Sequence, residues 1–153
     1  MITTEHLMIY PATPEQMEAF ILAETNQELK QAYTEMLEGA IQNRSQWDWY
    51  AIWMIELKDG THIGDLCFKG LTSDGISEIG YGIQNAYQRH GYATEAVKAV
   101  LGWAFAHNEV TAIEAEATTD NIASQKVLAK CGFIANGQVG EEGPRYTCKQ
   151  DIH

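Results

Sequence analysis

Seven residues, Gln88-Arg89-His90-Gly91-Tyr92-Ala93-Thr94, stand between a strand-like run and a long amphipathic stretch. A glycine-containing turn that opens a helix is an anion site. The first N–H groups there have no acceptor inside the helix, and they lie at the positive end of its dipole. Gly91 has no Cβ to keep a ligand away from the backbone, and Ala93 is the next smallest choice. Arg89 and His90 add positive charge. The ligand this chemistry suits is phosphorylated, a nucleotide or coenzyme A. An ordinary strand-to-helix loop has the same composition, so the neighbouring residues must decide.

Two neighbours sharpen the reading. On the preceding strand, alternation puts Ile79, Tyr81 and Ile83 on one face and Glu78, Gly80 and Gly82 on the other. A carboxylate then shares its face with two residues that have no side chain, which describes a groove; the plain alternative is a solvent-facing glutamate. Further on, Asn121-Ile122-Ala123-Ser124 opens a second helix. Asn121 suits a helix cap, and Ser124 an ordinary first-turn position. Gly80-Tyr81-Gly82-Ile83-Gln84-Asn85 lacks the third glycine of a dinucleotide fingerprint and has no helix directly after it. No Gly-Lys-Ser/Thr is present for a P-loop.

The elements that must position these residues follow from periodicity. Leu7 to Tyr10 reads as a strand. Thr13-Pro14-Glu15-Gln16 starts a helix that runs to about Glu24, and Asn26 caps a second that runs to about Gln42. Trp49 to Leu57, His62 to Leu71 and Ile76 to Gln84 read as three antiparallel strands joined at Asp59-Gly60 and Asp74-Gly75. From about Thr94 to His107 the residues Ala96, Val97, Val100, Leu101, Ala104 and Phe105 make one apolar helical stripe. Thr111 to Thr118 reads as a strand. A helix from near Asn121 closes at Gly132-Phe133, and Ile134 to Val139 and Arg145 to Lys149 are the last strands. The expected fold is α+β: one domain over residues 1–153, with a single mixed, mostly antiparallel sheet of about seven strands flanked by helices.

Composition narrows the class. With 153 residues, 45% of them hydrophobic, the chain is long and apolar enough to bury a core. It has no run of the roughly 20 apolar residues a membrane span requires and no basic-then-apolar leader. Three cysteines without regular spacing give neither a disulfide framework nor a zinc site, so a reduced, cytoplasmic protein without a metal is expected. A net charge of −11 disfavours nucleic acid and favours a cationic second ligand.

Taken together, these motifs resemble the GNAT superfamily of N-acetyltransferases, and within it the RimJ/RimL-like branch. The resemblance rests on Ile63-Gly64-Asp65, Glu78 to Ile83, Tyr87 to Ala96, Trp103-Ala104-Phe105, Asn121 to Leu128 and Gly132-Phe133. Gln88-x-x-Gly91-x-Ala93 fits the superfamily's acetyl-CoA signature. The resemblance implies a central parallel strand pair that splays apart. It implies that backbone amides from Arg89 through Thr94 hold the coenzyme's diphosphate, with Gln88, Arg89, His90, Gly91, Tyr92, Ala93 and Thr94 as the binding turn. It further implies a bulge near Gly82 and Ile83 that frees an amide for the thioester oxygen, and Asn121 beside the coenzyme arm. Glu78 is then the expected base and Ser124 the expected donor to the leaving sulfur, with water as the alternative donor. Leu128 stands where many members place an acidic tyrosine. The acceptor is expected to be a primary amine, either a small cation or a protein N-terminus, held near Trp47, Asp48 and Trp49, with Glu114 and Glu116 as solvated surface. A dimer is common among relatives. A non-catalytic acyl-CoA-binding or regulatory domain is the alternative reading.

Overall fold

The computed structural model describes residues 1–150. Twelve elements carry the chain: β1 (Ile2–Thr3), β2 (Leu7–Pro11), α1 (Pro14–Ala23), α2 (Gln27–Gln42), β3 (Ile52–Leu57), β4 (His62–Phe68), β5 (Ile76–Ile83), α3 (Tyr92–Phe105), β6 (Ala112–Glu116), α4 (Ile122–Lys130), β7 (Ile134–Val139) and β8 (Pro144–Lys149). Short 3-10 turns span Arg44–Trp49 and Asn85–Tyr87. The eight strands form one sheet in the order β1-β2-β3-β4-β5-β6-β8-β7, with β5-β6 the parallel pair and the other neighbours antiparallel. The eighth strand is the short β1, which pairs Ile2 with Ile9.

Local chemistry explains the helix starts. The Thr13 hydroxyl accepts from the Gln16 amide at 3.2 Å, and the Gln16 side chain accepts from the Thr13 amide at 2.9 Å, a complete capping box with Pro14 in the first turn. Asn26 caps α2 by accepting from the Leu29 amide at 3.1 Å. The stripe on α3 is buried at Ala96, Val97, Val100, Leu101 and Ala104, where it packs on one face of the sheet with Trp53, Phe68 and Ile113. A smaller core on the other face joins Met17, Leu37 and Ala40 to Ile52 and Met54, beneath α1 and α2.

Two expectations about strands are corrected. Trp49 does not begin β3. Its ring packs against Phe68 at 4.9 Å and Trp103 at 4.8 Å, so the backbone coils into a 3-10 turn to deliver it to the core. Nor is there a bulge at Gly82 and Ile83: β4 and β5 keep an unbroken register from Phe68↔Ile79 to Gly64↔Ile83. The irregularity lies instead between β3 and β4, where Ile55 faces Gly64 but Glu56 faces His62. Ile63 is the extra residue, and it turns into the α3-side core beside Ile55.

Candidate active site

The glycine turn is built by backbone geometry. Gly91 caps α3 in the left-handed conformation, with φ 80° and ψ 6°, and supplies no side-chain cap. The first helical hydrogen bond runs from the Glu95 amide to the Gly91 carbonyl at 3.0 Å. The amides of Tyr92, Ala93 and Thr94 precede that bond and have no acceptor within the helix. A Cβ placed on Gly91 would meet nothing within 4 Å, so the space over these amides is open. Arg89 also lies in the left-handed region, at φ 69°. The Gln88 side chain donates to the Ile83 carbonyl at 2.9 Å and to Asn85 Oδ1 at 3.2 Å, tying the turn to the end of β5.

These residues line a cavity of about 550 Å³. Its wall includes Gly82, Ile83, Gln88, Arg89, Gly91, Tyr92, Ala93, Thr94, Asn121 and Ser124, ten of the residues singled out in the sequence. His90 and Glu78 are not on that wall. The His90 ring lies against Tyr92, with centroids 5.5 Å apart. Asn121 does cap α4, accepting from the Ser124 amide at 3.0 Å, and it borders the cavity as well.

The wedge that continues the cavity comes from the parallel pair. β5 pairs with β6 only from Ile76↔Ala112 to Glu78↔Glu114, while β5 runs on to Ile83 and β6 to Glu116. Even-numbered residues of β5 bond to β4, as Lys69 N to Glu78 O at 2.9 Å and Gln84 N to Ile63 O at 2.8 Å show for the two ends. The odd-numbered Tyr81 and Ile83 therefore point their amides into the gap beyond Glu78. Splaying alone exposes these donors, so no bulge is needed.

Glu78 stands at the vertex of the wedge, in a network of charges. Its carboxylate pairs with Lys69 Nζ at 2.7 Å and with the Arg145 guanidinium at 2.9 Å. Arg145 also holds Glu114 at 2.7 Å and Glu116. Burial pushes the Glu78 carboxyl up, but hydrogen bonds and charge from Lys69 and Arg145 outweigh it and hold the group below the ordinary carboxylate value. Arg145 is raised in turn, chiefly by its hydrogen bond to Glu114. Glu114 and Glu116 are thus one side of an ion-pair network, in contrast to the solvated surface expected of them.

The sequence matches the family described as "Acetyltransferase (GNAT) domain" over residues 4–134. The chain belongs to that family. The GNAT domain here is 30% identical over 149 residues to YoaA of Bacillus subtilis strain 168, described as an uncharacterized N-acetyltransferase; the match covers 90% of this chain and 84% of that protein. It is 37% identical over 91 residues to YjdG of the same organism, described in the same words; that match covers 58% of this chain and spans about half, 54%, of the relative's length. Among solved structures, RimL, a ribosomal L7/L12 alpha-N-protein acetyltransferase in complex with coenzyme A, aligns with a TM-score of 0.77 at 14% identity, over 98% of this chain and 97% of that one. At that identity the likeness speaks for the fold.

Three features of this GNAT site escape a reading by motif. Tyr81 reaches across from β5, and its hydroxyl lies 2.9 Å from Ser124 Oγ. A phenol therefore does face the cavity, from β5 and not from the Leu128 position on α4. Lys126 and Lys130 line the cavity with Arg89, concentrating positive charge in a chain of net charge −11. Their signal was the spacing Ala123, Val127, Lys130 and Lys126, which puts both lysines near the helix face that carries Ser124. The third is Trp47. Its indole donates to the Ala12 carbonyl at 2.9 Å, and the Asp48 carbonyl accepts from Trp53 at 2.8 Å. The Trp47 indole thus serves as a structural joint to the segment between β2 and α1.

Among the described residues, no helix is long and apolar enough to cross a membrane, and no group of three or more His, Cys, Asp or Glu side chains is arranged to hold a metal.

Proposed function

We propose that this domain transfers the acetyl group of acetyl-CoA to a primary amine by direct attack on the thioester. The observation that carries the reading is the set of three helix-opening amides, Tyr92, Ala93 and Thr94, facing an open cavity ringed by Arg89, Lys126 and Lys130. A diphosphate satisfies those donors and that charge. From there the coenzyme arm passes Asn121 and Ser124 into the wedge, where the Tyr81 and Ile83 amides are donors for the thioester oxygen.

The amine arrives as an ammonium and must lose a proton, since a free alkylamine has a pKa near 10. Glu78 takes that proton through a chain of waters along the sheet face; its two cationic partners keep it ionised and fixed. The neutral nitrogen attacks the carbonyl carbon, the C–N bond forms and the C–S bond breaks. The Ser124 hydroxyl delivers a proton to the departing thiolate and regains one, through water, from the attacking nitrogen as it becomes the amide; its hydrogen bond to Tyr81 orients it. The net change is acetylamide, coenzyme thiol and one proton released.

A thiol-release assay with acetyl-CoA and a panel of primary amines tests this, alongside calorimetric binding of acetyl-CoA. Turnover with at least one amine is expected. Tight coenzyme binding with no turnover for any amine would favour the regulatory alternative, and no binding at all would overturn the assignment.

A further inference from the structure

The side of the sheet turned away from the cavity carries a second set of functional groups. The extra residue Ile63 changes the alternation of β4, so that His62 and Asp65, three apart, share one face with Met54 and Glu56. Asp65 lies directly abreast of Gly82 on β5, and Cys67 abreast of Gly80. A Cβ on Gly82 would meet nothing within 4 Å, so open space adjoins the carboxylate. Glu78 is four strand residues away from Gly82, about 13 Å. Asp65 therefore lies closer than Glu78 to the Ile83 amide along the sheet.

Its surroundings are polar and aromatic. The side chain is half-buried, and among the described residues it takes part in no hydrogen bond or ion pair. Burial pushes the Asp65 carboxyl up, with His62 opposing. The Tyr33 phenol of α2 is pushed up by burial and then by the negative charge of Asp65, with Glu24 and Cys67 contributing less. Phe20 of α1 meets Tyr33 edge-on at 5.7 Å and His62 edge-on at 5.4 Å, completing an aromatic wall. His62 Nε2 is buried without a hydrogen-bond partner. A buried polar atom without a partner is what folding avoids unless a ligand satisfies it. A carboxylate flanked by aromatic rings suits an ammonium group.

The same face also states what it rejects. Its cations Lys69 and Arg145 are already committed, to Glu78 and to Glu78, Glu114 and Glu116. An acceptor with a carboxylate next to its amine would set that carboxylate against Asp65, with Lys69 and Arg145 already held by Glu78. We infer that Asp65, walled by Tyr33, Phe20 and His62, receives the acceptor's ammonium group, and that the acceptor is a small aliphatic amine with no carboxylate beside that nitrogen. This inference rests on the proposed transferase reaction, and its test does not need turnover.

The test titrates n-pentylamine and norleucine, the same chain bearing an adjacent carboxylate, into the full chain while the NMR signals of the His62 imidazole and Tyr33 ring are followed. Both signals should shift and saturate with n-pentylamine. Norleucine should bind at least tenfold more weakly. Asp65→Asn should weaken n-pentylamine at least tenfold while acetyl-CoA affinity stays within twofold. An equal response to norleucine, an unchanged affinity in Asp65→Asn, or shifts that leave His62 and Tyr33 untouched would overturn the inference. Loss of acetyl-CoA binding in the unaltered protein would overturn the transferase reading instead, and the amine titration would still decide the role of Asp65.

Discussion

Replacing Gly91 by alanine separates a conformational cost from a ligand contact, because the chain contains its own control. Gly91 and Gly137 have nearly the same φ, 80° and 83°, and a Cβ on either meets nothing within 4 Å. Gly91 borders the cavity; Gly137 lies on the exposed strand β7, away from it. An L-residue held in the left-handed region costs about 1–2 kcal/mol. For a domain of this size that lowers Tm by about 2–8 °C, and both variants should show it in a thermal scan. Only Gly91→Ala puts a methyl group over the amides of Tyr92 to Thr94. Losing one charge-assisted hydrogen bond costs about 1.5–3 kcal/mol, or roughly ten- to 150-fold in affinity. Calorimetric titration of acetyl-CoA should therefore give a Kd at least tenfold higher for Gly91→Ala and unchanged for Gly137→Ala. Equal affinities in the two variants would refute the diphosphate assignment.

Other predictions concern the remaining groups. Glu78→Gln should slow acetyl transfer strongly at neutral pH and less at high pH, where neutral amine is abundant, as a pH–rate profile will show. Because the Glu78 carboxyl is depressed in the folded state, its stabilisation is complete above the ordinary carboxylate pKa of about 4 and is lost as pH falls through the folded value. Glu78→Gln should accordingly flatten the acid limb of the stability curve. Asp65 has the opposite sign: its carboxyl is raised, so ionising it costs stability as pH climbs past the ordinary value. Asp65→Asn should have a Tm at pH 7 no lower than that of the unaltered protein. Tyr81→Phe removes the partner of Ser124 Oγ and should lower kcat by about ten- to a hundredfold with little change in acetyl-CoA affinity. Adding Ser124→Ala to it should cost little more, since the two hydroxyls act as a unit; additive losses in the double variant would separate them.

What could be read from the chain alone was what short stretches of backbone decide. The capping box at Thr13 and Gln16, the Asn26 and Asn121 caps, and the end of α4 at Gly132, where the Phe133 amide returns to the Leu128 carbonyl at 3.0 Å, are local interactions within a few residues. The proposed anion-binding turn is of the same kind, because a glycine at the helix start exposes amides in any tertiary setting. Strand alternation placed Glu78, Gly80 and Gly82 on one face for the same reason. Tertiary structure decided everything that depends on which strand lies beside which. The pairing of β6 with β8 brings Arg145 to Glu78, Glu114 and Glu116, a partnership that no local pattern encodes. The splay after Glu78, more than any kink in β5, opens the wedge. The side on which α4 packs lets Tyr81 meet Ser124. A single extra residue at Ile63 sets His62 beside Asp65. Each of these is a long-range register, and register follows from the packing of whole faces, which residue types along one segment do not specify.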